Sequence, residues 1–256
     1  MSAKPLSILP ITSFPMVKAG DDLVDFIIRS HQIENPVQTN DVIVITQKIV
    51  SKSEGRLRDL RQIEPGEKAL DLAVICEKDP RLVQLILEES SEVLRVRKGV
   101  LIVRHRLGFV CANAGIDHSN TVDGDREEHY VLLLPENPDL SAARIQKEFY
   151  SRTGIVIGVM IIDSHGRAWR NGTVGTAIGM ANVPGIVDLR GQQDLFGYTL
   201  RATLVAAADE LAAAASLVMG QANEAIPCVI ARGFPYPLRD ASLKELLRPD
   251  ELDLFK

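Results

Sequence analysis

The sequence has few cysteines, few aromatic residues and no long apolar run. Its three cysteines lie far apart and form no C-x-x-C pair, which is typical of reduced thiols in a cytoplasmic protein and argues against a disulfide framework or a zinc site. Only 5% of the residues are aromatic and 46% are apolar, so we expect a core of Val, Ile, Leu and Ala. No run reaches the roughly 20 apolar residues that cross a bilayer, and the N-terminus lacks a signal-peptide pattern. We therefore predict a cytoplasmic protein without membrane contact.

Several familiar functional signatures are also missing. The net charge of -5 argues against a broad basic face, and so against a nucleic-acid partner. The chain has no P-loop, no G-x-G-x-x-G after a predicted strand, no G-x-S-x-G elbow and no H-E-x-x-H. Its five histidines show no ligand spacing. A nucleotide would therefore have to bind through a less common loop.

Apolar runs and amphipathic stretches alternate irregularly, which predicts an α/β (or α+β) protein with a mixed sheet and a single catalytic unit over residues 1–256. We predict a hairpin over 100–116 and strands at 6–11, from 41, at 130–135, 155–163, 199–206 and 228–233. One helix is predicted to begin after Asp21–Asp22, and two more are predicted between residues 65 and 99. A fourth is predicted over 137–154, with Asp139 or Ser141 near its cap, and a fifth in the alanine-rich segment 204–220. Residues 121–130 are predicted as a charged loop and 172–197 as glycine-rich turns.

Two aspartates each follow an apolar run and are surrounded by small, polar or basic residues. Asp117 lies in NAGIDHSN, where Gly115 allows a close backbone approach or a positive φ and Asn120 can donate to a phosphate. A carboxylate at this position is a hard oxygen ligand for Mg²⁺ or Mn²⁺. The same spacing also fits an Asx-turn, in which Asp and Asn cap their own backbone. The residues alone leave both interpretations open.

The second aspartate begins the run DSHGRAWRNG at 163–172. It combines a carboxylate and a hydroxyl, from Asp163 and Ser164, with the guanidinium groups of Arg167 and Arg170. Metal plus guanidinium is how proteins neutralise a triphosphate and its transition state. The alternative is a helix N-cap followed by solvent-exposed arginines. We favour phosphate binding, because capping alone does not explain two arginines and several glycines together.

Two further polar segments follow predicted elements. Gln47, Lys48, Ser51 and Lys52 come after the buried strand that begins at 41. Their hydroxyl and ammonium groups fit a phosphate-binding segment and a solvated strand end about equally well. Residues 219–227 lie between a predicted helix and strand, and by themselves are typical of an ordinary connection.

Taken in order, these segments resemble those of the F420-0:L-glutamate ligase family, the gamma-glutamyl ligases of deazaflavin coenzyme biosynthesis. The matching segments, over roughly residues 5–233, are FPMVKAGDDL, DVIVITQKIVSKSEGR, ILEESSEVLR, NAGIDHSN, IIDSHGRAWRNGTVGTAIG, LRGQQDLFGYTL, VAAADELAAAASLVMG and IPCVIARG. The resemblance implies a mixed α/β protomer of two interleaved lobes that forms an intertwined homodimer. Some relatives carry a fused nitroreductase-like domain, which we do not expect in this chain.

The resemblance also implies an activity. Members of the family use GTP to join the amine of L-glutamate to a carboxylate of F420-0, first as an amide to its lactyl phosphate and then through γ-linked residues. They require Mg²⁺ or Mn²⁺ and are assisted by K⁺, and they activate the carboxylate as an acyl phosphate. The alternative is a metal- and nucleotide-binding relative that ligates another carboxylate or has no ligase activity.

The family's site residues carry over by position. The implied GTP-binding residues are Phe14, Pro15, Met16, Val17, Gln47, Lys48, Lys52, Asn120, Met219, Gly220, Gln221, Ala222, Asn223, Glu224, Ala225 and Ile226. The implied metal ligands are Asp117, Asp163, Ser164 and Gln221, and the implied catalytic residues are Lys52, Arg167 and Arg170. One departure is Gln221, which stands where the family can supply a glutamate to a second metal. Its neutral amide is a weaker ligand for a hard cation, and Glu224 is the nearest carboxylate that could replace it.

Overall fold

A computed structural model describes residues 5–33, 35–121 and 129–253 of the chain. Its strands are β1 (Ser7–Pro10), β2 (Val42–Thr46), β3 (Leu57–Asp59), β4 (Ser90–Arg97), β5 (Val100–His105), β6 (Val110–Ala112), β7 (Tyr130–Leu132), β8 (Gly158–Arg167), β9 (Arg170–Ala181), β10 (Val187–Asp188), β11 (Leu204–Val205) and β12 (Cys228–Arg232). Its helices are α1 (Leu23–Ile33), α2 (Gln47–Ser53), α3 (Glu67–Cys76), α4 (Pro80–Glu88), α5 (Pro138–Thr153) and α6 (Ala207–Met219).

Five strands form a mixed sheet in the order β1-β12-β2-β8-β9. β2 and β8 run parallel, with Thr46 opposite Ile162 where β2 ends, and the other neighbours are antiparallel. The two faces of β2 belong to different cores: Ile45 packs with α1 and α5, and Val44 packs with α6. Burial on both faces explains why these strands are continuous apolar runs.

A third cluster of buried side chains lies among α3, α4 and the antiparallel sheet of β4, β5 and β6. It contains Leu82 and Ile86 from α4 and Leu101 from β5. Phe109, between β5 and β6, packs against this cluster and also against the core around α5. Its ring therefore links the three-stranded sheet to the five-stranded one.

Much of the predicted local structure is confirmed. The strands at 6–11, 155–163 and 228–233 correspond to β1, β8 and β12, the hairpin over 100–116 to β5 and β6, and the alanine-rich helix to α6. The mixed-sheet α/β class is confirmed as well. Among the described residues, no helix is long and apolar enough to cross a membrane. The predicted charged loop at 121–130 lies mostly outside the described residues.

The prediction of glycine-rich turns from residue 172 is wrong for its first part, because residues 170–181 form the long strand β9. Two of the three glycines in β9, Gly175 and Gly179, lie where a helix approaches the strand closely. A Cβ atom at Gly175 would lie 2.5 Å from the carbonyl oxygen of Ala212 in α6. A Cβ atom at Gly179 would lie 2.4 Å from Pro138 at the start of α5. Glycine therefore allows both helices to pack directly on β9.

Two more segments of the chain differ from their predicted secondary structure. Residues 90–97, predicted as the end of a helix, form β4. A bulge between Val93 and Arg95 allows both Val93 and Val96 to pack on the third cluster, which a regular alternation would not permit. The predicted strand at 199–206 shortens to β11.

The start of α5 agrees with the prediction, because Asp139 lies in its first turn, near the cap. The cap itself is Asn137, whose Oδ1 accepts a hydrogen bond from the Leu140 amide at 3.1 Å. Asp139 instead accepts a hydrogen bond from the Met180 amide at 2.9 Å. The Asp139 carboxylate therefore forms a hydrogen bond between α5 and β9.

The carboxylate of Glu89, just after α4, is buried among basic side chains. It accepts hydrogen bonds from Arg56 Nη2 at 2.8 Å and from Arg106 Nε at 2.9 Å, and His105 Nε2 lies 3.6 Å away. Arg56 also donates to the Leu134 carbonyl at 2.8 Å. Burial favours the neutral carboxyl, but these neighbours outweigh burial and hold the pKa of Glu89 at about 2, below its ordinary 4.5. Ionised Glu89 therefore joins α4 to the β5–β6 turn and to the segment after β7.

Replacing Glu89 by Gln should lower the free energy of unfolding at pH 7 by about 3 kcal/mol, because two arginines lose their buried partner. The native pKa of about 2 lies below the unfolded value of 4.5, so the stabilisation is complete above pH 4.5 and is lost as the pH falls from there towards 2. Urea denaturation over this range should show the two proteins converging. As a control, Glu92→Gln, whose carboxylate is exposed and 3.5 Å from Arg104, should change the free energy by about 0.5 kcal/mol or less. A difference at Glu89 that is constant with pH would contradict the ionised state.

Candidate active site

A cavity of about 970 Å³ opens at the carboxyl ends of the parallel strands β2 and β8, where α/β sheets commonly bind ligands. Five stretches of chain form its wall, within 14–19, 46–57, 120–121, 162–164 and 216–227. The predicted site residues in this wall are Phe14, Pro15, Met16, Val17, Gln47, Lys48, Lys52, Asn120, Asp163, Ser164, Met219, Gly220, Gln221, Ala222, Asn223, Glu224, Ala225 and Ile226. The fold thus brings together the polar segments that the sequence analysis singled out.

The wall also contains polar residues that are not among the predicted binding residues. Lys18 follows the first predicted loop, Thr46 ends β2, Thr121 follows Asn120, and Ser216 lies on the last turn of α6. Lys18, Thr46 and Thr121 are adjacent to predicted binding residues, whereas Ser216 is three residues before Met219. The sequence does not indicate a binding role for Ser216, because a single serine in an alanine-rich helix is usually an ordinary surface residue.

Asp117 lies beside this wall and contacts it through its side chain. Its Oδ2 accepts a hydrogen bond from Gln47 Nε2 at 2.5 Å and forms an ion pair with Lys48. Gln47 is buried and also accepts a hydrogen bond from Ser51 at 2.9 Å. The Asp117 backbone exchanges two hydrogen bonds with Leu132 of β7. The carboxylate thus contacts another part of the chain, which is not the Asx-turn arrangement.

The segment before Asp117 has an unusual backbone. Asn113, Ala114 and Gly115 all have positive φ, at 50°, 53° and 64°. Asn113 is held by a hydrogen bond from the Leu101 amide to its Oδ1 at 3.0 Å. A Cβ atom at Gly115 would lie 2.8 Å from Leu134. A larger residue at position 115 would have to displace the Leu134 side chain and adopt a positive φ, which glycine adopts at lower cost.

Burial raises the pKa of Asp117 above its ordinary value of 3.8; the Lys48 ammonium opposes this shift, and the negative charge of Asp163 adds to it. The negative charge of Asp163 therefore opposes ionisation of Asp117 in the same direction as burial does. Like-charged carboxylates in a shared site favour either a proton or a bound cation.

Asp163 lies within β8, one residue past the end of its pairing with β2. Its Oδ2 accepts a hydrogen bond from His165 Nε2 at 3.0 Å, and both side chains are largely buried. The His165 ring lies 5.1 Å from the ring of Phe109, which stacks on His105 at the same distance. His165 was missed from the sequence, although a residue two positions on in a strand shares the face of the first.

Ser164 points to the opposite face of β8, towards the loop after α6. Its hydroxyl donates to Gln221 Oε1 at 2.9 Å, and Gln221 Nε2 donates to Ser216 at 3.0 Å. Glu224 turns back on its own loop, where its carboxylate accepts a hydrogen bond from the Ala222 amide at 2.8 Å. Asn120 donates to the Ala222 carbonyl at 3.2 Å. Gln221, and not Glu224, therefore contacts Ser164.

The two predicted arginines lie elsewhere. The run 163–172 is a β-hairpin between β8 and β9, so the alternative of a helix N-cap is wrong. Arg167 and Arg170 are exposed register partners at its tip, and neither belongs to the cavity wall. At a rise of roughly 3.3 Å per residue, Arg167 is about 13 Å along the strand from Asp163.

The predicted metal ligands are all oxygen donors: two carboxylates, a hydroxyl and an amide. Such donors suit Mg²⁺ or Mn²⁺. Among the described residues, no group of three or more His, Cys, Asp or Glu side chains is placed to hold a metal ion. A cation bound to Asp117 and Asp163 would therefore need further ligands. Mg²⁺ commonly takes them from water and from the phosphates of its substrate.

Comparison with known proteins identifies the family. A family model described as F420-0:Gamma-glutamyl ligase matches residues 12–233. The chain belongs to this family. It is 47% identical over 254 residues to a protein of Methanothermobacter thermautotrophicus, covering 98% of this chain and 99% of the relative. It is 44% identical to one of Methanocaldococcus jannaschii, covering 86% of each, and 38% identical to one of Archaeoglobus fulgidus, covering 98% and 96%. All three are named coenzyme F420:L-glutamate ligase, and the resemblance inferred from the motifs is confirmed.

Replacing Asp117 by Asn should raise the free energy of unfolding of the metal-free protein at pH 7, because burial and Asp163 oppose ionisation of the native carboxyl. Its native pKa lies above 3.8, so the wild type should lose stability relative to the variant as the pH rises through that pKa, and the two should converge below 3.8. Thermal denaturation in EDTA at several pH values measures this difference.

Asp59→Asn is a control of opposite sign. Hydrogen bonds from Arg61 hold the pKa of Asp59 at about 2, below 3.8, so this variant should be less stable than the wild type at pH 7 and converge with it as the pH falls from 3.8 towards 2. An Asp117→Asn protein that is less stable than the wild type at pH 7 would contradict the repulsion between the two carboxylates.

Proposed function

We propose that the protein is a GTP-dependent ligase that attaches L-glutamate to F420-0, first by an amide bond and then through γ-linked residues. The relatives are named as ligases of coenzyme F420 and L-glutamate. The observation that carries the proposal is the cavity: its wall contains the carboxylates of Asp163 and Glu224 and three lysines, and the carboxylate of Asp117 lies beside it. This combination suits a phosphoryl transfer that needs both a cation and positive side chains.

The lysines and the 219–226 loop are the proposed GTP-binding groups. Lys18, Lys48 and Lys52 are in the cavity wall, and ammonium groups bind phosphates as point charges. Lys52 is the proposed catalytic lysine that steadies the transferred phosphoryl group. The exposed positions of Arg167 and Arg170 outside the wall do not support the same role for them within one chain.

The donors at the cavity fit Mg²⁺ or Mn²⁺, and we assign Asp117 and Asp163 as its carboxylate ligands, with Ser164 and Gln221 for a second ion. A bound divalent cation supplies neutralisation of phosphate charge. His165 orients the Asp163 carboxylate, since a hydrogen-bonded neighbour fixes the ligand that it contacts. A role for K⁺ is supported by the family resemblance alone.

The proposed reaction has two steps. In the first, a carboxylate oxygen of F420-0 attacks the γ-phosphorus of GTP, which forms an acyl phosphate and releases GDP. In the second, the amine of L-glutamate attacks the acyl carbon, phosphate leaves with the bonding electrons, and the amide forms with loss of the amine proton. Lys48 and Lys52 act on the phosphate oxygens in both steps.

Replacing Asp163 by Ala should reduce GDP release in the presence of F420-0 and L-glutamate by at least about 100-fold, because the cation and the phosphates lose a carboxylate. Asp71→Ala is the matched control, since Asp71 is exposed on α3, away from the cavity, and it should keep full activity. Circular dichroism should show that both variants are folded. Full activity of Asp163→Ala would overturn the proposal.

The second candidate function is that this protein, as a relative of these ligases, ligates a different carboxylate. The observation that favours it is the glutamine at position 221. Its amide replaces a carboxylate ligand and is held between Ser164 and Ser216. Mass spectrometry of F420-0 after incubation with GTP, Mn²⁺ and L-glutamate distinguishes the two functions. A mass gain of glutamyl units on F420-0 supports the first function. The second is supported if F420-0 gains no mass and the protein instead consumes GTP when another carboxylic acid is supplied.

We also propose that two protomers, each of two interleaved lobes, associate as a homodimer. The tip of the hairpin between β10 and β11 is apolar and almost fully exposed, at 98% for Leu195 and 94% for Phe196. Asp194 holds the tip in shape by accepting hydrogen bonds from the Phe196 and Tyr198 amides. An ordered apolar projection of this kind is typical of an interaction surface. Leu195→Ser combined with Phe196→Ser should shift the protein towards monomer in sedimentation equilibrium, and an unchanged mass would contradict this interface.

A further inference from the structure

The tip of the β8–β9 hairpin presents an exposed tryptophan in an unfavourable backbone conformation. Trp169 is the only tryptophan of the chain, its side chain is 89% exposed, and its φ is 63°. A bulky side chain rarely adopts positive φ, which glycine or asparagine adopts at lower cost. The exposed indole therefore contributes nothing to the core, and the backbone of Trp169 has an unfavourable φ. Such an outlier points to a role outside the stability of the fold.

Two arginines flank this indole. Arg167 and Arg170 are register partners on either side of the turn, and both are exposed. In the part of the chain that the structure describes, no carboxylate forms an ion pair with either of them; Arg167 donates to the Asn171 carbonyl at 3.3 Å. Because the chain as a whole carries a charge of -5, this tip is a local site of uncompensated positive charge. An indole beside two guanidinium groups suits a ligand that is both planar and anionic.

The tip is connected to the cavity through the pairing of β8 with β9. This pairing runs from Val159 and Ala181 to Arg167 and Arg170, with register shifts after Ile161 and after Gly166, so the hairpin is an extension of the strand that carries Asp163. Trp169 lies in the turn just beyond Arg167, which is about 13 Å along the strand from Asp163 at roughly 3.3 Å per residue. An elongated ligand that lies along the hairpin can therefore have one end at the cavity and the other at the indole.

We propose that Trp169, Arg167 and Arg170 bind the planar ring end of the acceptor substrate while its carboxylate end reacts at the cavity. This inference rests on the proposed function, whose acceptor joins a deazaflavin ring to a lactyl phosphate. The ring stacks on the indole, and the guanidinium groups contact the negative charge of the linker. The two arginines are then substrate-binding residues at the far end of the hairpin.

The single tryptophan makes the test direct. F420-0 is titrated into the protein without GTP or glutamate, so that no ligation occurs, and the tryptophan fluorescence is recorded. Quenching with saturation is expected for the wild type. In equilibrium dialysis, Trp169→Ala and the double variant Arg167→Gln with Arg170→Gln should each raise the Kd for F420-0 by roughly tenfold, whereas Trp169→Phe should retain most of the affinity.

Matched controls separate this site from general surface effects. Tyr150→Ala, an exposed aromatic on α5, and Arg201→Gln, an exposed arginine, should leave the Kd unchanged. The KM for GTP should also be unchanged in the Trp169 variants. An unquenched tryptophan together with an unchanged Kd in Trp169→Ala overturns the inference, even if the protein ligates glutamate.

Two other results would separate this inference from a subunit contact and from the proposed ligase activity. If Trp169→Ala leaves F420-0 binding intact but lowers the sedimentation mass, the tip is a contact between subunits and the inference is wrong. If F420-0 binds and quenches the wild type but no glutamyl product forms with GTP, the ring site stands and the proposed ligase activity fails.

Discussion

The parallel pairing of β2 with β8 is the constraint on which the candidate site depends. It places the carboxyl ends of both strands at one edge, so that α2 with its glutamine and lysines begins where Asp163 and Ser164 emerge. Both strands are buried on their two faces by separate cores, which fixes their register because a slip of one residue would exchange the cores. The position of the cavity is therefore set by apolar burial, and its chemistry by the residues just beyond.

The cavity region is held in a state that is costly without a ligand. Asp117 is partly buried, its ionisation is opposed by the charge of Asp163, and its carboxylate contacts Gln47 and Lys48. Three consecutive residues before it have positive φ. Both features oppose stability, since like charges repel and left-handed backbone is strained. Structures commonly retain such features at functional sites, where a bound group relieves them.

The sequence predicted the parts of the site better than their geometry. Apolar runs predicted β2, β8 and β12 because burial on two faces leaves an uninterrupted pattern, and the motifs located the cavity segments. Glycines in β9 were mistaken for turns, because a glycine required by a nearby helix looks the same in sequence as one required by a bend. The contact of Asp117 with Lys48 and the placement of the two arginines outside the wall depend on tertiary packing, which no local pattern encodes.

The alternation of side chains along β8 separates two sets of contacts at the cavity. Asp163 and His165 share the face that meets Phe109, where stacked rings and largely buried positions fix the carboxylate. Ser164 lies on the opposite face and contacts Gln221 in the loop after α6. Because the two faces have different neighbours, a change at position 221 alters the surroundings of Ser164 without touching those of Asp163. The contact made by Gln221 is therefore confined to one face of β8, and the contact between Asp163 and His165 on the other face does not depend on it.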